Sequence, residues 1–331
     1  MHKDVITMRK ERSPDISIVE EHDVKLQRIF DLLELGEVPS EPSDLVSITQ
    51  QWAKGDHWTP ESRVRSFGTK REKLLELFDS MGLVEPILPP KGKYDHIVVI
   101  GALARTNLAR LEFVKELIDK SHINLADEGE VFFLGGRRSR NPKELFDLGR
   151  QVRIVKGHSE LPGIPREIEH LTTPVGRYEA FGSEYDLGQL AVLACFGEAV
   201  LSSREITDEH GHDLYTKIRL KLGEDAATTM NILNSPEVHR THGQARHTTT
   251  SSIEELLSRF GGDIHENSRI LVVSNNPHIK RIGIDVAEVM KQRGRSDIET
   301  FSCGPGAAPS APTEMFLGEI ARLIYLDAQK Q

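Results

Sequence analysis

The chain has 331 residues, 28% of them charged and 38% hydrophobic, which excludes a disordered or membrane-embedded polypeptide and allows one large domain plus a smaller region. With 42 Lys and Arg against 51 Asp and Glu, the formal net charge is -9, and that balance argues against a protein working on nucleic-acid backbones. The two cysteines, Cys195 and Cys303, lack paired spacing and suggest neither a disulfide framework nor a cysteine-based zinc site.

The first twenty residues hold no apolar core suited to a signal peptide, and no later stretch approaches the roughly 18 to 20 apolar residues that span a bilayer. The expectation is a cytoplasmic protein with neither a membrane nor a nucleic acid as partner. Val24 to Leu35, Ser43 to Trp52 and Arg71 to Met81 each repeat apolar residues three or four apart, predicting a small helical region over residues 1–90. Pro86, Pro89, Pro90 and Lys91-Gly92-Lys93 then punctuate the chain. A boundary near residue 91 follows, with an α/β domain over 91–331.

From there strands and helices alternate. Asp95 to Gly101 reads as a buried strand, and Thr106 to Ile118 as a helix with Leu108, Leu111, Val114 and Leu117 on one face. Glu130 to Leu134 is a second strand, closed by Gly135-Gly136-Arg137-Arg138, and Asn141-Pro142-Lys143-Glu144 has the form of a helix start. Leu190 to Ala199 reads as a buried helix inside a middle segment, 157–249, that is otherwise polar and irregular. Ser251 to Glu254 has capping-box form and opens a helix through Phe260. Arg269 to Ser274 is a strand, Asn276-Pro277 caps a helix to about Arg293, Glu299 to Ser302 is a short strand, and Glu314 to Leu326 a last amphipathic helix. This βα alternation predicts a parallel sheet with helices on both faces, and such open sheets bind ligands beyond the carboxyl ends of their strands.

Four loops at that edge could carry chemistry. In Gly135-Gly136-Arg137-Arg138 the glycines permit a tight turn while guanidinium and amide groups receive an anion; a plain glycine turn with solvated arginines is the competing reading. After the first strand, Gly101 allows close approach of a ligand, with Arg105 or Arg110 as anion partner. After the strand at 269–274 come Ser274, Asn275, His278 and Arg281; His278 is placed to move a proton or to bind phosphate, with helix capping as its alternative. Arg246 and the hydroxyls through Thr250 precede a capped helix and offer further contacts. Glu184 and Asp186, ahead of an apolar stretch, are candidate site carboxylates or partners of a helix N-terminus. Neither a dinucleotide fingerprint nor a P-loop nor a G-x-S-x-G elbow is present. His210, His212, Asp213, His239, His242 and His247 invite a metal reading, but without an H-E-x-x-H pattern a metal is not favoured.

In order, Asp95 to Gly101, Gly135-Gly136, Thr248 to Glu255 and Ser274 to Arg281 resemble the motifs of the DUF218 family, the bacterial YdcF-like, SanA-like and ElyC-like proteins, over about residues 94–328. Ala102 stands where a second glycine is usual, and Ser252-Ile253 departs from the family's Thr-x-Glu-Asn run. The resemblance implies a three-layer Rossmann-like fold with a strand-edge pocket for a nucleotide-like or phosphorylated ligand. It leaves S-adenosylmethionine or a nucleotide open as cofactor and a homo-oligomer open as assembly. The expected function is a hydrolase or group transferase on a phosphate-bearing or nucleotide-like small molecule: Gly101, Arg105, Gly135, Gly136, Arg137, Arg138, Arg246, Thr250, Ser274, Asn275 and Arg281 hold the ligand, and His278, Glu184 and Asp186 are the catalytic candidates. The alternative is a non-catalytic small-molecule-binding or regulatory protein using the same pocket.

Overall fold

The computed structural model describes residues 18–53, 67, 70–136, 184–210, 212–222, 226–235 and 248–329. The chain divides into two compact units, one of residues 1–84 with 308–331 and the other of residues 85–307.

In the first unit, α1 (Ile18–Leu33), α2 (Pro42–Ala53) and α3 (Lys70–Ser80) associate with the C-terminal helix, α8 (Thr313–Ala328). Their apolar stripes explain this. Leu26, Ile29, Phe30, Leu45, Leu74 and Phe78 are buried, as are Phe316, Leu317, Ile320, Leu323 and Ile324 of α8. Phe78 stacks on Phe316 with ring centroids 5.1 Å apart, and Phe30 meets Trp52 edge-on.

The second unit is an α/β fold around one seven-stranded sheet of order β3-β4-β5-β2-β1-β6-β7. Its strands are β1 (Gly92–Ile100), β2 (Ile123–Gly136), β3 (Val200–Thr207), β4 (Asp213–Leu222), β5 (Ala226–Ser235), β6 (Arg269–Val273) and β7 (Glu299–Cys303). Its helices are α4 (Ala104–Asp119), α5 (Glu184–Phe196), α6 (Thr249–Phe260) and α7 (Ile279–Gln292). The arrangement is the Rossmann-like three-layer one. The neighbours β5, β2, β1, β6 and β7 are parallel. The expectation of a parallel sheet holds for these five; β4 runs antiparallel to β5 and β3 antiparallel to β4, so the whole sheet is mixed.

Strand alternation sorts the two faces. Ile97 and Val99 of β1, with Val131 and Phe133 of β2, join Leu111, Val114, Leu187, Leu190 and Leu193 in the core under α4 and α5. Val98 and Ile100, with Phe132 and Leu134, join Ile253, Leu256, Ile282 and Val286 in the core under α6 and α7. Both faces of the central strands are therefore covered, which is why they read as continuous apolar runs.

Several local boundaries differ from the sequence expectation: β1 starts at Gly92, α4 at Ala104, and the helix expected over Leu190 to Ala199 runs Glu184–Phe196. Strand β2 starts at Ile123, and its register against β1 jumps from Tyr94↔Leu125 to His96↔Glu130, an irregularity that a period-two pattern conceals. Helix α6 starts earlier than expected, with Thr248 as cap: its hydroxyl accepts from the Ser251 N–H at 3.1 Å and Ser251 Oγ accepts from the Thr248 N–H at 3.0 Å. Ser251 thus fills the third helical position that Glu254 was expected to hold, and Glu254 lies a turn further on. Helix α7 is capped at His278, after the cis Asn276–Pro277 peptide, rather than at Asn276.

Candidate functional site

The order of the sheet locates its crevice. The connection from β1 through α4 leads to β2 on one side, while β6 and β7 lie on the other side of β1, and α4 packs on the face opposite α6 and α7. The chain therefore reverses its winding between β1 and β6. At such a point the two following loops diverge and leave a ligand crevice beyond the strands' carboxyl ends.

The loops there are 101–103 and 274–278, and Arg110 ties them together. Its side chain, from the buried stripe of α4, donates through Nη1 to the carbonyls of Ile100 and Gly101 and through both Nε and Nη2 to Asn275 Oδ1. Burial pushes this guanidinium down to about 9, with Glu184 opposing the shift and Arg281 reinforcing it. It is still charged at neutral pH and places a fixed positive potential beneath the crevice. One turn earlier on α4, Asn107 is fully buried and accepts through Oδ1 from the Ala102 N–H at 2.7 Å. Among the described residues its Nδ2 has no hydrogen-bond partner, and neither does Ser274 Oγ, although Ser274 is only 1% exposed. Buried polar atoms rarely stay in this state, and water, an ion or a ligand can supply the partner.

The expected site residues divide as follows. Gly101, Ser274 and Asn275 stand at the crevice, and Asn276 donates from its side chain to the Glu85 carbonyl. His278 is half-buried at the head of α7: its N–H donates to the Asn275 carbonyl at 2.8 Å, and its side chain does not cap the helix. Arg281 pairs with Asp285 at 2.8 Å, one turn on. Arg105 and Thr250 are exposed in the first turns of α4 and α6. Glu184 is buried and Asp186 half-buried in the first turn of α5, where a helix N-terminus favours carboxylates, and Glu184 is near enough to act on Arg110.

Gly135 and Gly136 end β2 one strand away from the crevice, and both are buried. A Cβ on Gly135 would sit 2.9 Å from Tyr185 Cα, so α5 packing demands a glycine there irrespective of any ligand. A Cβ on Gly101 would lie 2.2 Å from the Leu134 carbonyl oxygen, so that position too is fixed by the sheet. Arg137, Arg138 and Arg246 lie outside the described residues, as do Asn141-Pro142, His239, His242 and His247. His210 and His212 belong to the turn between β3 and β4, where Asp208 accepts from both of their backbone N–H groups and faces His212 Nδ1 at 3.1 Å. Among the described residues no group of three His, Cys, Asp or Glu side chains is placed to hold a metal ion, and no helix is long and apolar enough to cross a membrane.

Sequence reasoning passed over Asn107, and named Arg110 only as one of two anion partners. The available signal was positional: Asn107 and Arg110 are polar residues three apart on the stripe that Leu111 and Val114 share.

The fold is that of a Rossmann-like α/β protein with a topological switch point between β1 and β6. No family model, curated protein or solved structure matches the chain.

Proposed function

We infer that the crevice between β1 and β6 binds a phosphate-bearing or nucleotide-like small molecule, and that the protein is a hydrolase or group transferase acting on it. The observation that carries this reading is the pair of unpartnered buried donors at the switch point, Asn107 Nδ2 on the α4 side and Ser274 Oγ on the α6 and α7 side, with the buried cation Arg110 tying together the two loops that bear on them. Donors and a cation suit an oxygen-rich anion, and catalysis there would rest on electrostatic positioning. His278 is the residue assigned to move a proton, since it heads α7 next to Asn275. The order of motifs that resembles the DUF218 family supports the same ligand class.

A non-catalytic binding or regulatory role is the second reading. It has its own support, because Asn107 and Ser274 hold a ligand but move no proton at neutral pH. A thermal-shift screen against nucleotides, sugar phosphates and S-adenosyl compounds tests both. A true ligand at 100 times its Kd should stabilise the fold by about 2.7 kcal/mol, and Ser274→Ala should reduce that shift. His278→Gln that binds normally but does not turn the ligand over identifies the enzyme; no shift with any of these compounds refutes both readings.

A further inference from the structure

Ser274, one wall of the crevice, has neighbours on the face of the sheet opposite α4. Under α6 and α7 the last large side chains are Leu233 of β5, Leu134 of β2 and Ile100 of β1, paired across as Leu134↔Leu233 and Ile100↔Leu134. Two residues further on, strand alternation puts Ser235 and Gly136 on that face, themselves paired. Ser235 is fully buried, and its Oγ has no hydrogen-bond partner among the described residues. On β6, Ser274 follows Val272 onto the same face, its hydroxyl also unpartnered. The carboxyl ends of four adjacent parallel strands thus give way from large apolar residues to small ones, with an orphan hydroxyl at each end of the row.

Helix α6 begins above this row. Its first turn carries the buried Ser251 and Ser252, and Ile253 and Leu256 pack in the core with Leu134 and Leu233. Just past its C-terminus, Asp263 and His265 act on His96, near the start of β1. The helix therefore runs back from the strands' carboxyl ends, with its N–H groups directed to the Ser235 side.

We propose that the ligand is elongated and held at two points: its phosphate at the β1–β6 crevice by Asn107, Ser274 and the Arg110 charge, and a neutral polar group between Ser235, Gly136 and the first turn of α6. This rests on the reading of the crevice given above and specifies its substrate class. Ser235 and Ser274 stand three strand spacings apart, about 14 Å, a gap that a nucleoside monophosphate bridges with a hydrogen bond at each end and inorganic phosphate does not. Ser235 is neutral and lies two strands from Arg110, so it suits the hydroxyls or ring heteroatoms of a nucleoside better than a second phosphate.

The test is calorimetric titration of the full chain with inorganic phosphate and with adenosine monophosphate, using the wild type, Ser235→Ala, Ser235→Leu and Ser274→Ala. The two-point site requires the nucleotide to bind at least about tenfold tighter than phosphate. Ser235→Ala should weaken the nucleotide about fivefold, the loss of one hydrogen bond, and Ser235→Leu by more, while phosphate affinity changes in neither. Ser274→Ala should weaken both ligands. Retained phosphate binding in the Ser235 variants also shows that they fold. Equal affinity for the two ligands, or Ser235 variants that affect both alike or neither, overturns the second point and leaves the crevice standing. If neither ligand binds the wild type, the reading of the crevice falls, and the two-point site with it.

Discussion

Arg110 and Asn275 are 165 residues apart in sequence, yet the Asn275 carboxamide oxygen accepts from both Nε and Nη2 of the buried guanidinium. This fork fixes α4 and the end of β1 against the loop after β6, so the two sides of the crevice are set by one cation. Truncating either partner strands a buried polar group. Arg110→Met and Asn275→Ala should each destabilise the fold by about 1–3 kcal/mol. Because the residues share one contact, the double variant should lose less than the sum. Urea unfolding of the four proteins measures the coupling, and strict additivity would show that the fork contributes nothing. Arg110→Lys should not rescue, since an ammonium cannot reproduce the planar fork.

Gly101 and Gly188, like Gly135, are held as glycine by packing. At Gly101 an added methyl group meets the Leu134 carbonyl oxygen at 2.2 Å, and at Gly188 it meets the Phe133 ring at 2.4 Å. The first obstacle is backbone within the sheet; the second is a fully buried ring. Gly101→Ala and Gly188→Ala should each lower stability by about 1–3 kcal/mol through overpacking. A urea midpoint for Gly101→Ala equal to that of the wild type would mean that its lack of a side chain serves ligand approach after all.

The central strands were legible because burial on both faces removes polar interruptions: Ile97 to Ile100 of β1 and Ile270 to Val273 of β6 read as unbroken apolar runs, and their loops fell where the sequence put them. The antiparallel extension was missed although β4 carries a period of two, with Thr216, Ile218 and Leu220 buried and Lys217, Arg219 and Lys221 exposed. What hid it was β3, the edge strand, exposed along most of its length and so without an inward pattern. The crevice was legible by position and not by residue. Its loops follow from strand ends, whereas the tie from Arg110 to Asn275 joins distant segments and exists only once β1 and β6 are neighbours. Residues 308–331 taught the same lesson, since an amphipathic helix at the chain's end says nothing of which unit it completes.

His96 should give the stability a pH dependence. It is 4% exposed, its Nδ1 accepts from the Glu130 N–H, and its ring lies 5.6 Å from Phe132. Burial pushes its imidazole below 6.5, with Asp95 opposing and His265 reinforcing the shift. A base whose folded pKa is depressed binds more protons when unfolded, so stability falls as pH drops below about 6.5 toward the folded value. Glu130, raised above 4.5 by burial, acts with the opposite sign in a window that opens upward from 4.5. The stability advantage of the wild type over His96→Gln should therefore shrink between about pH 7.5 and pH 5.5. Parallel pH profiles from urea titrations of the two proteins would contradict this.

The two cysteines should behave as core residues rather than as nucleophiles. Cys303 ends β7 with no exposure, and burial pushes its thiol far up. Cys195, on α5, is pushed up to about 12, chiefly by burial and secondarily by Glu112, with Lys115 opposing. At pH 8 a thiol of that pKa is ionised in only about one molecule in ten thousand, and the thiolate is the species that alkylates. Iodoacetamide at that pH should leave the native chain unlabelled over minutes and label both cysteines once urea unfolds it, read by intact mass. Rapid native labelling at Cys195 would show that α5 opens readily from the sheet; since Glu184 at the head of the same helix acts on Arg110, the crevice would then be opening with it.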